Sequence, residues 1–295
     1  MKQQISVVIT DIDNTLYDWV QMWYSAFTAM LKELVAESGL PQDTLEAEIQ
    51  TIFQKHGTSE YAFVIEELPS LKAKHPNVDL VAIYGNAIKA YNFARTRNLR
   101  LYPQVLQTLQ TLKDTGCLIV GFTESMAFYT MRRLKVLGLD GVIDYLYSPP
   151  DHSIPAEINI EQSRWYPEVD YRFDKTVHRL LPENQKKPAP KILLEIIEDE
   201  GINTSADRAV YVGDSLMKDI AMAQDAHVTD VYAKYGIAQN TDAYELLRRV
   251  THWTKEDVDR EKQIHASRTV TPTYVLEHSI SELLNLFEFV SHAER

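Results

Sequence analysis

The chain has 295 residues, of which 45% are hydrophobic and 24% charged, and this is the composition of an ordinary globular protein. Its length provides a sizeable core and predicts one large domain or two smaller ones. The formal net charge of −12 argues against a nucleic-acid groove, because such a groove needs a positive face to match phosphates. We therefore expect no nucleic-acid partner.

Cysteine content and hydropathy bear on the cellular location. Cys117 is the only cysteine, so no intrachain disulfide can form, which fits a reducing cytoplasm. The first apolar run stops at Asp11 after about five residues, well short of the hydrophobic region of a signal peptide. No segment approaches the roughly twenty apolar residues that span a bilayer. We expect a cytoplasmic protein without a membrane partner.

The first predicted element is a buried parallel strand, a β-branched apolar run from Ile5 to Ile9. It ends in Asp11 and Asp13, followed by Asn14 and Thr15. Ligands of open α/β sheets bind at the carboxyl ends of the strands, and charge placed there is costly unless it is used or paired. Taken alone, these residues fit a helix cap or a turn as well as they fit a ligand site.

Residues 18–98 predict helices and no strand. Apolar residues recur at three- and four-residue spacing from Val20 to Leu34, and Gly39 ends the run. Further helices are predicted at about 43–54, 59–68 and 78–97. Because this stretch separates two predicted sheet strands, we predict a helical domain at 18–98 inserted into a core of residues 1–17 and 99–295.

The rest of the chain alternates strands and helices, as a doubly wound, mainly parallel α/β sheet requires. The segment 148–185 differs: it contains five prolines and predicts a long ordered loop, with room for a short hairpin and an undecided role. The other predicted elements are strands at 118–122, 142–147, 209–212, 229–233 and 274–276, helices at 102–113, 125–137, 190–200, 216–225, 242–250 and 255–265, and a closing helix with a capping box of Ser279 and Glu282.

Four stretches together resemble the four motifs of the haloacid dehalogenase-like superfamily, in the expected order. They are Asp11-Ile-Asp-Asn-Thr, Thr123 at the end of the strand 118–122, Lys187-Pro-Ala-Pro before a helix, and Gly213-Asp214-Ser215 followed by Asp219. The resemblance implies a doubly wound core with a mobile helical cap that closes over the site and selects the substrate. The alternative for residues 18–98 is a rigid helical subdomain that only buries surface.

The resemblance also implies phosphoryl transfer through an aspartyl-phosphate. It puts Asp11 in the place of the nucleophile and Asp13 in that of the general acid and base. Asp214 would complete an Mg²⁺ site together with Asp11 and the main-chain carbonyl of Asp13, and oxygen ligands of this kind suit Mg²⁺. Thr123 and Lys187 would bind the phosphate.

Two further residues of the fourth motif, Asp219 and Ser215, would orient or share the ligand shell of the metal. For Asp219 the alternative is a first-turn carboxylate that the helix dipole stabilises. Glu124 departs from the pattern, because capped members usually have Asn there, and an extra carboxylate beside a phosphate is unfavourable unless it turns away or binds the substrate. The candidate substrate contacts are Asn14, Thr15, Tyr17, Glu124 and Arg95.

The predicted function is Mg²⁺-dependent hydrolysis of a small phosphorylated metabolite. The run Asp-Ile-Asp-Asn-Thr-Leu-Tyr is similar to the first motif of pyrimidine 5′-nucleotidase-type members, so a nucleoside monophosphate is the first substrate to test, with phosphoglycolate and sugar phosphates open. Asp13 disfavours the dehalogenase branch, which lacks an acid at this position. A phosphomutase and a non-catalytic binding protein are the alternatives, and the sequence does not define the oligomeric state.

Overall fold

The computed structural model describes residues 2–151, 171–182, 185–237, 241–253 and 269–293. The chain divides into an α/β unit of residues 1–17, 101–237 and 268–295 and a helical unit of residues 18–100 and 238–267. Within the described ranges, no helix combines the length and the apolar character needed to cross a membrane.

The α/β unit is built on a seven-stranded sheet. A separate two-stranded parallel sheet pairs the first and last strands of the chain. The strands are β1 Gln4–Ile5, β2 Val7–Thr10, β3 Leu118–Phe122, β4 Tyr145–Ser148, β5 Val177–Leu180, β6 Ala209–Gly213, β7 Thr229–Ala233, β8 Tyr274–Leu276 and β9 Glu288–Phe289. The large sheet has the order β5-β4-β3-β2-β6-β7-β8, and all neighbouring strands are parallel. This doubly wound sheet confirms the predicted fold class.

The register of the central strands determines which residues meet at the carboxyl edge. Thr10 of β2 pairs with Gly121 of β3 on one side and with Val212 of β6 on the other. All of β2 and β6 is buried, as expected for central strands covered on both faces. The three strands therefore end at the same level, and the residues that follow them lie side by side.

The helices cover the sheet in the α/β unit and pack on one another in the helical unit. They are α1 Trp19–Ser38, α2 Gln42–His56, α3 Val64–Glu67, α4 Pro69–Lys74, α5 Leu80–Ile83, α6 Gly85–Asn98, α7 Val105–Asp114, α8 Ala127–Val136, α9 Pro190–Glu198, α10 Ala221–Asp225, α11 Thr241–Val250 and α12 Leu283–Leu286. In the α/β unit, α9 buries Ile192, Leu193 and Ile196 in the core that β2 and β6 share.

In the helical unit, α1 is the longest helix of the described ranges and packs against α6. Asp18 caps its start by accepting a hydrogen bond from Gln21 N, and Gly39 ends it with a φ of 68°, a conformation that glycine adopts without strain. The predicted apolar stripe is buried, and Trp23 stacks on Phe27 with ring centroids 4.9 Å apart.

The predicted core of residues 99–295 needs correction, because the described residues 241–253 belong to the helical unit. Helix α11 buries Ala243, Leu246 and Val250. Arg249 Nε donates to Glu46 Oε2 at 2.9 Å, which ties α11 to α2. The boundary near residue 98 also moves, since the helical unit continues to Arg100.

Four predicted elements differ from the structure, and one of them is the helix 78–97, which is divided into α5 and α6. Residues 177–180 form an edge strand paired with β4 where a loop was predicted, and residues 152–170 of that segment lie outside the described ranges, as does the predicted helix 255–265. The predicted helix 59–68 is reduced to α3, and the carbonyl of Ser59 accepts a hydrogen bond from Trp23 Nε1 at 3.0 Å instead of one within a helix. The predicted helix 216–225 opens with a π-turn at Leu216–Ile220.

Candidate active site

The strand ends bring three predicted site residues to one edge of the sheet. Asp11 follows β2, and its backbone N–H donates to Val212 O at 2.8 Å. Thr123 follows β3 and donates its backbone N–H to Tyr147 O at 3.1 Å. Asp214 follows β6. Register alone therefore explains why three motifs far apart in sequence converge.

A cluster of three carboxylates forms at this edge. One oxygen from each of Asp11, Asp214 and Asp219 lies within 4.8 Å of the other two. Asp219 folds back over β6 because Gly213 has no side chain: a Cβ there would lie 2.4 Å from the Asp219 carboxyl carbon. Ser215 fixes the turn, since its N–H donates to Asp219 Oδ2 at 3.0 Å.

One ammonium group faces this cluster. Lys187 Nζ donates to Asp11 Oδ1, and it donates to Asp219 Oδ1 at 2.9 Å. The side chain is almost fully buried, with its ammonium 4.9 Å from the Phe122 ring and 5.4 Å from the Tyr211 ring. The Tyr211 hydroxyl adds a hydrogen bond of 3.0 Å to Asp219 Oδ1. Lys187 is therefore held at a fixed position between carboxylates and aromatic faces.

The charges in the cluster do not balance. Burial raises the pKa of Asp11 to about 7 against the opposing effect of Lys187, and the neighbouring carboxylates of Asp219 and Asp13 add to the rise. Burial also raises the pKa of Asp214, together with the charges of Asp11 and Asp219. Carboxylate oxygens that repel one another in a desolvated space are ligands of the kind that a hard divalent cation prefers. The residues present thus fit the predicted Mg²⁺.

The Asp13 carboxylate is not one of the three in this cluster and accepts hydrogen bonds from two hydroxyl groups. Its Oδ1 accepts from the Tyr17 hydroxyl and its Oδ2 from the Ser125 hydroxyl. Arg133 Nη1 lies 3.8 Å from Oδ1. Tyr17, predicted as a substrate contact, is fully buried and supports Asp13.

The loop between the two aspartates and Tyr17 is shaped by backbone contacts. Asn14 has a φ of 58°, and its N–H donates to Tyr17 O at 2.8 Å. The Thr15 hydroxyl reaches Asp11 Oδ2 at 3.3 Å, and Thr15 O accepts from the Tyr235 hydroxyl at 2.8 Å. A Cβ on Gly236 would lie 1.9 Å from Asn14 O, so glycine is required for this close approach.

Glu124 has both carboxylate oxygens engaged by lysines. Oε1 accepts from the backbone N–H of Lys187 at 2.9 Å and Oε2 from Lys218 Nζ at 2.8 Å. Burial raises the pKa of Glu124, but Lys218 and Lys187 outweigh it and hold the pKa below its usual value. The structure therefore gives Glu124 a supporting position behind Lys187. Arg95, the remaining substrate candidate, lies on α6 of the helical unit, where it donates to Asn92 Oδ1 at 2.9 Å.

Several residues of the site were missed by sequence reasoning. Lys218 precedes Asp219, and Tyr211 is the one residue with a hydroxyl in the strand Ala-Val-Tyr-Val-Gly, which is a weak signal by itself. Ser125 and Arg133 follow the second motif on a segment predicted as an ordinary amphipathic helix. Only the tertiary structure shows that their side chains point to Asp13.

A model of the haloacid dehalogenase-like hydrolase family matches residues 5–227, a range that includes all four motif stretches. The chain belongs to the haloacid dehalogenase-like hydrolases. The predicted superfamily, and with it the prediction of an enzyme, is confirmed. The active-site features described above are thus those of a member of a hydrolase family.

Individual relatives agree with this assignment. The hydrolase is 26% identical over 241 residues to a glyceraldehyde 3-phosphate phosphatase of Methanopyrus kandleri, covering 81% of this chain and 88% of that protein. Its fold is similar to the 2-haloacid dehalogenase of Pseudomonas syringae, with a TM-score of 0.53, 18% identity and coverage of 96% and 97%. It is also similar to a proposed β-phosphoglucomutase of Thermotoga maritima, with a TM-score of 0.51, 16% identity and coverage of 95% and 97%.

Proposed function

We propose that this hydrolase is a Mg²⁺-dependent phosphatase that hydrolyses a small phosphomonoester through an aspartyl-phosphate on Asp11. The observation that carries the proposal is the pairing of two arrangements. Asp11 lies in a carboxylate cluster with a buried lysine, while Asp13, two residues on, is held separately by hydroxyl groups. This difference supports Asp11 as the nucleophile and Asp13 as the group that transfers protons.

The carboxylates of Asp11 and Asp214, with the main-chain carbonyl of Asp13, would hold the cation. Asp219 already accepts from Lys187, Tyr211 and Ser215, so we assign it to the positioning of Lys187. Bound there, Mg²⁺ would neutralise the phosphate oxygens and let an anionic nucleophile approach them.

The reaction has two steps. An Asp11 carboxylate oxygen attacks phosphorus, the bond from phosphorus to the alcohol oxygen breaks, and Asp13 gives its proton to that oxygen. Water then attacks the phosphoryl group on Asp11, and Asp13 takes the proton that water loses, which releases inorganic phosphate and restores the Asp11 carboxylate and the Asp13 carboxylic acid. Lys187 and the Thr123 hydroxyl would bind the non-bridging oxygens throughout.

The substrate class follows from chemistry and similarity together. A phosphatase relative is described for glyceraldehyde 3-phosphate, a small phosphorylated aldehyde. The first motif favours a pyrimidine nucleoside monophosphate, and both compounds are small phosphomonoesters. We propose that the protein binds and hydrolyses such a metabolite in the cytoplasm.

A phosphomutase is the second candidate, since it would use the same residues while keeping water out. The two differ in the fate of the phosphoryl group, because a mutase moves label between two positions of a sugar bisphosphate and a phosphatase releases it.

Phosphate release tests the proposal. The panel contains glyceraldehyde 3-phosphate, uridine monophosphate, phosphoglycolate, glucose 6-phosphate and p-nitrophenyl phosphate, assayed with Mg²⁺ and with a chelator. Asp11→Asn should lose about a thousandfold or more of kcat, because it removes the nucleophile. The matched control Asp174→Asn, whose side chain is 76% exposed, should retain activity. Release that survives in Asp11→Asn or in the chelator would contradict the proposed mechanism.

A further inference from the structure

A buried arginine lies behind the side chain that we assign as the general acid. Arg133 on α8 has 2% of its side chain exposed, and a guanidinium so buried is costly unless it is paired. Its Nη1 lies 3.8 Å from Asp13 Oδ1 and 3.5 Å from the Tyr17 hydroxyl oxygen. The Tyr129 ring lies against the guanidinium, 5.4 Å from its central carbon.

The donors in this network determine which way each hydrogen bond runs. A guanidinium can only donate, so the Tyr17 oxygen must accept from Arg133. The single hydroxyl proton of Tyr17 is then directed to Asp13 Oδ1. The Arg133 guanidinium disfavours rotation of the Tyr17 hydroxyl proton away from Asp13. Oδ1 is therefore a hydrogen-bond acceptor whether or not Asp13 carries a proton.

The other oxygen of Asp13 is in a different situation. Its partner is the Ser125 hydroxyl, which can rotate to donate to a carboxylate or to accept from a carboxylic acid. The Ser125 hydroxyl can therefore follow Oδ2 as that oxygen gains or loses a proton, whereas the Tyr17 hydroxyl keeps donating to Oδ1. Bonds to both oxygens also prevent rotation of the carboxyl group about its Cβ–Cγ bond.

We propose that Arg133 and Tyr17 are positioning residues that orient Asp13 and leave Oδ2 as the oxygen that transfers its proton to the leaving alcohol. The proton passes from Oδ2 to the alcohol oxygen as the phosphorus–oxygen bond breaks, and a proton of the attacking water returns to Oδ2. This inference rests on the proposed phosphatase function; it gives Tyr17 a positioning role and adds Arg133, which the four motifs do not contain.

Leaving-group dependence separates this role from a merely structural one. p-Nitrophenolate leaves with little need of a proton, whereas an alkoxide needs one. We compare kcat/KM, which covers the steps up to bond breakage, for p-nitrophenyl phosphate and for the alkyl phosphomonoester that the wild type hydrolyses fastest. In Arg133→Met and in Tyr17→Phe, kcat/KM should fall more for the alkyl ester than for p-nitrophenyl phosphate, by a factor of about ten or more. General acids contribute about 10²–10⁴-fold to the rate.

Lys135→Met is the matched control. Lys135 lies on the same helix and pairs with Asp174 at 3.3 Å. In this variant, kcat/KM should stay at the wild-type value for both substrates. Thermal unfolding of each variant identifies a folding defect. Should Arg133→Met fail to fold, Tyr17→Phe decides the test, because it deletes a single hydroxyl. The double variant should lose little more than the worse single variant, since both act through one contact.

Two results would count against the proposal, and they differ. Equal losses with both substrates, or no loss in either variant, would overturn the positioning role while leaving phosphatase activity intact. A folded wild type that releases phosphate from no substrate would contradict the proposed function itself, and the inference would fall with it.

Discussion

At the scale of single residues, Glu124 shows how a carboxylate is accommodated beside a site that we propose binds phosphate. Its negative charge is matched by Lys218, and its other oxygen holds the backbone N–H of Lys187. The side chain thus acts on the orientation of Lys187 and places no free anion next to the substrate.

Substitutions of Glu124 should reveal that role. Glu124→Ala removes both acceptors, and loss of a buried hydrogen-bond partner costs about 1–3 kcal/mol. We expect kcat/KM for the best substrate to fall about tenfold, which corresponds to about 1.4 kcal/mol. Glu124→Gln keeps an acceptor for Lys187 N and should lose less. Glu195→Ala on α9, half-exposed in a pair with Lys191, is the control. Wild-type kinetics in Glu124→Ala would show that Lys187 needs no such support.

The same scale shows where sequence reasoning reached its limit. Asp11, Thr123 and Asp214 follow strands that the apolar pattern identifies, and parallel register brings such strand ends together. Arg133 and Tyr211 gave no comparable signal, because one lies on an amphipathic helix and the other in a buried strand. Their contacts with the aspartates depend on how α8 and β6 pack, and spacing along the chain does not encode this.

At the scale of elements, the π-turn after β6 decides the geometry of the site. The carbonyl of Ser215 accepts from Asp219 N at 2.9 Å and from Ile220 N at 3.1 Å, so the turn is wider than an α-helical one. The wide turn directs Asp219 back to Lys187. Apolar periodicity predicted a regular helix over 216–225, since a single wide turn barely changes that pattern.

Gly213→Ala tests this element. Its Cβ would lie 2.4 Å from the Asp219 carboxyl carbon, a distance that forces the carboxylate away from Lys187. We expect a folded protein with Mg²⁺-dependent kcat reduced about tenfold or more, because misplacement of about 1 Å can cost a hundredfold in rate. Gly85→Ala at the start of α6 is the control, since no atom lies within 4 Å of a Cβ there. An active Gly213→Ala with unchanged Mg²⁺ dependence would show that Asp219 is not needed in this position.

At the scale of the whole molecule, the chain returns to its helical unit late in the sequence. Composition separates residues 18–98 from the sheet, and the structure confirms that this stretch is helical within the described ranges. The membership of α11 was not predictable, because its apolar face would fit a sheet or a helix pair equally well. Contacts with residues about two hundred positions earlier, such as Arg249 with Glu46 at 2.9 Å, decide it.

The pH dependence of folding should reflect one carboxylate of the helical unit. Glu67 accepts hydrogen bonds from Lys55 at 2.8 Å, Tyr61 at 2.6 Å and His56 at 3.0 Å. Burial raises its pKa, but these bonds together lower the pKa from 4.5 to about 2. Because the folded-state pKa lies below the unfolded one, the stabilisation is complete above about pH 4.5 and is lost as the pH falls to about 2.

Glu67→Gln should therefore lower the free energy of unfolding at pH 7 by about 2 kcal/mol, since it removes a charged acceptor from three donors. The difference from wild type should shrink steadily between about pH 4.5 and 2 and vanish below that, because wild-type Glu67 is then protonated. Urea unfolding followed by tryptophan fluorescence measures it, as Trp19 and Trp23 lie in the helical unit. Glu37→Gln, an exposed residue of α1, should follow the wild-type curve. A difference that is independent of pH would mean that packing, and not the charge of Glu67, stabilises this unit.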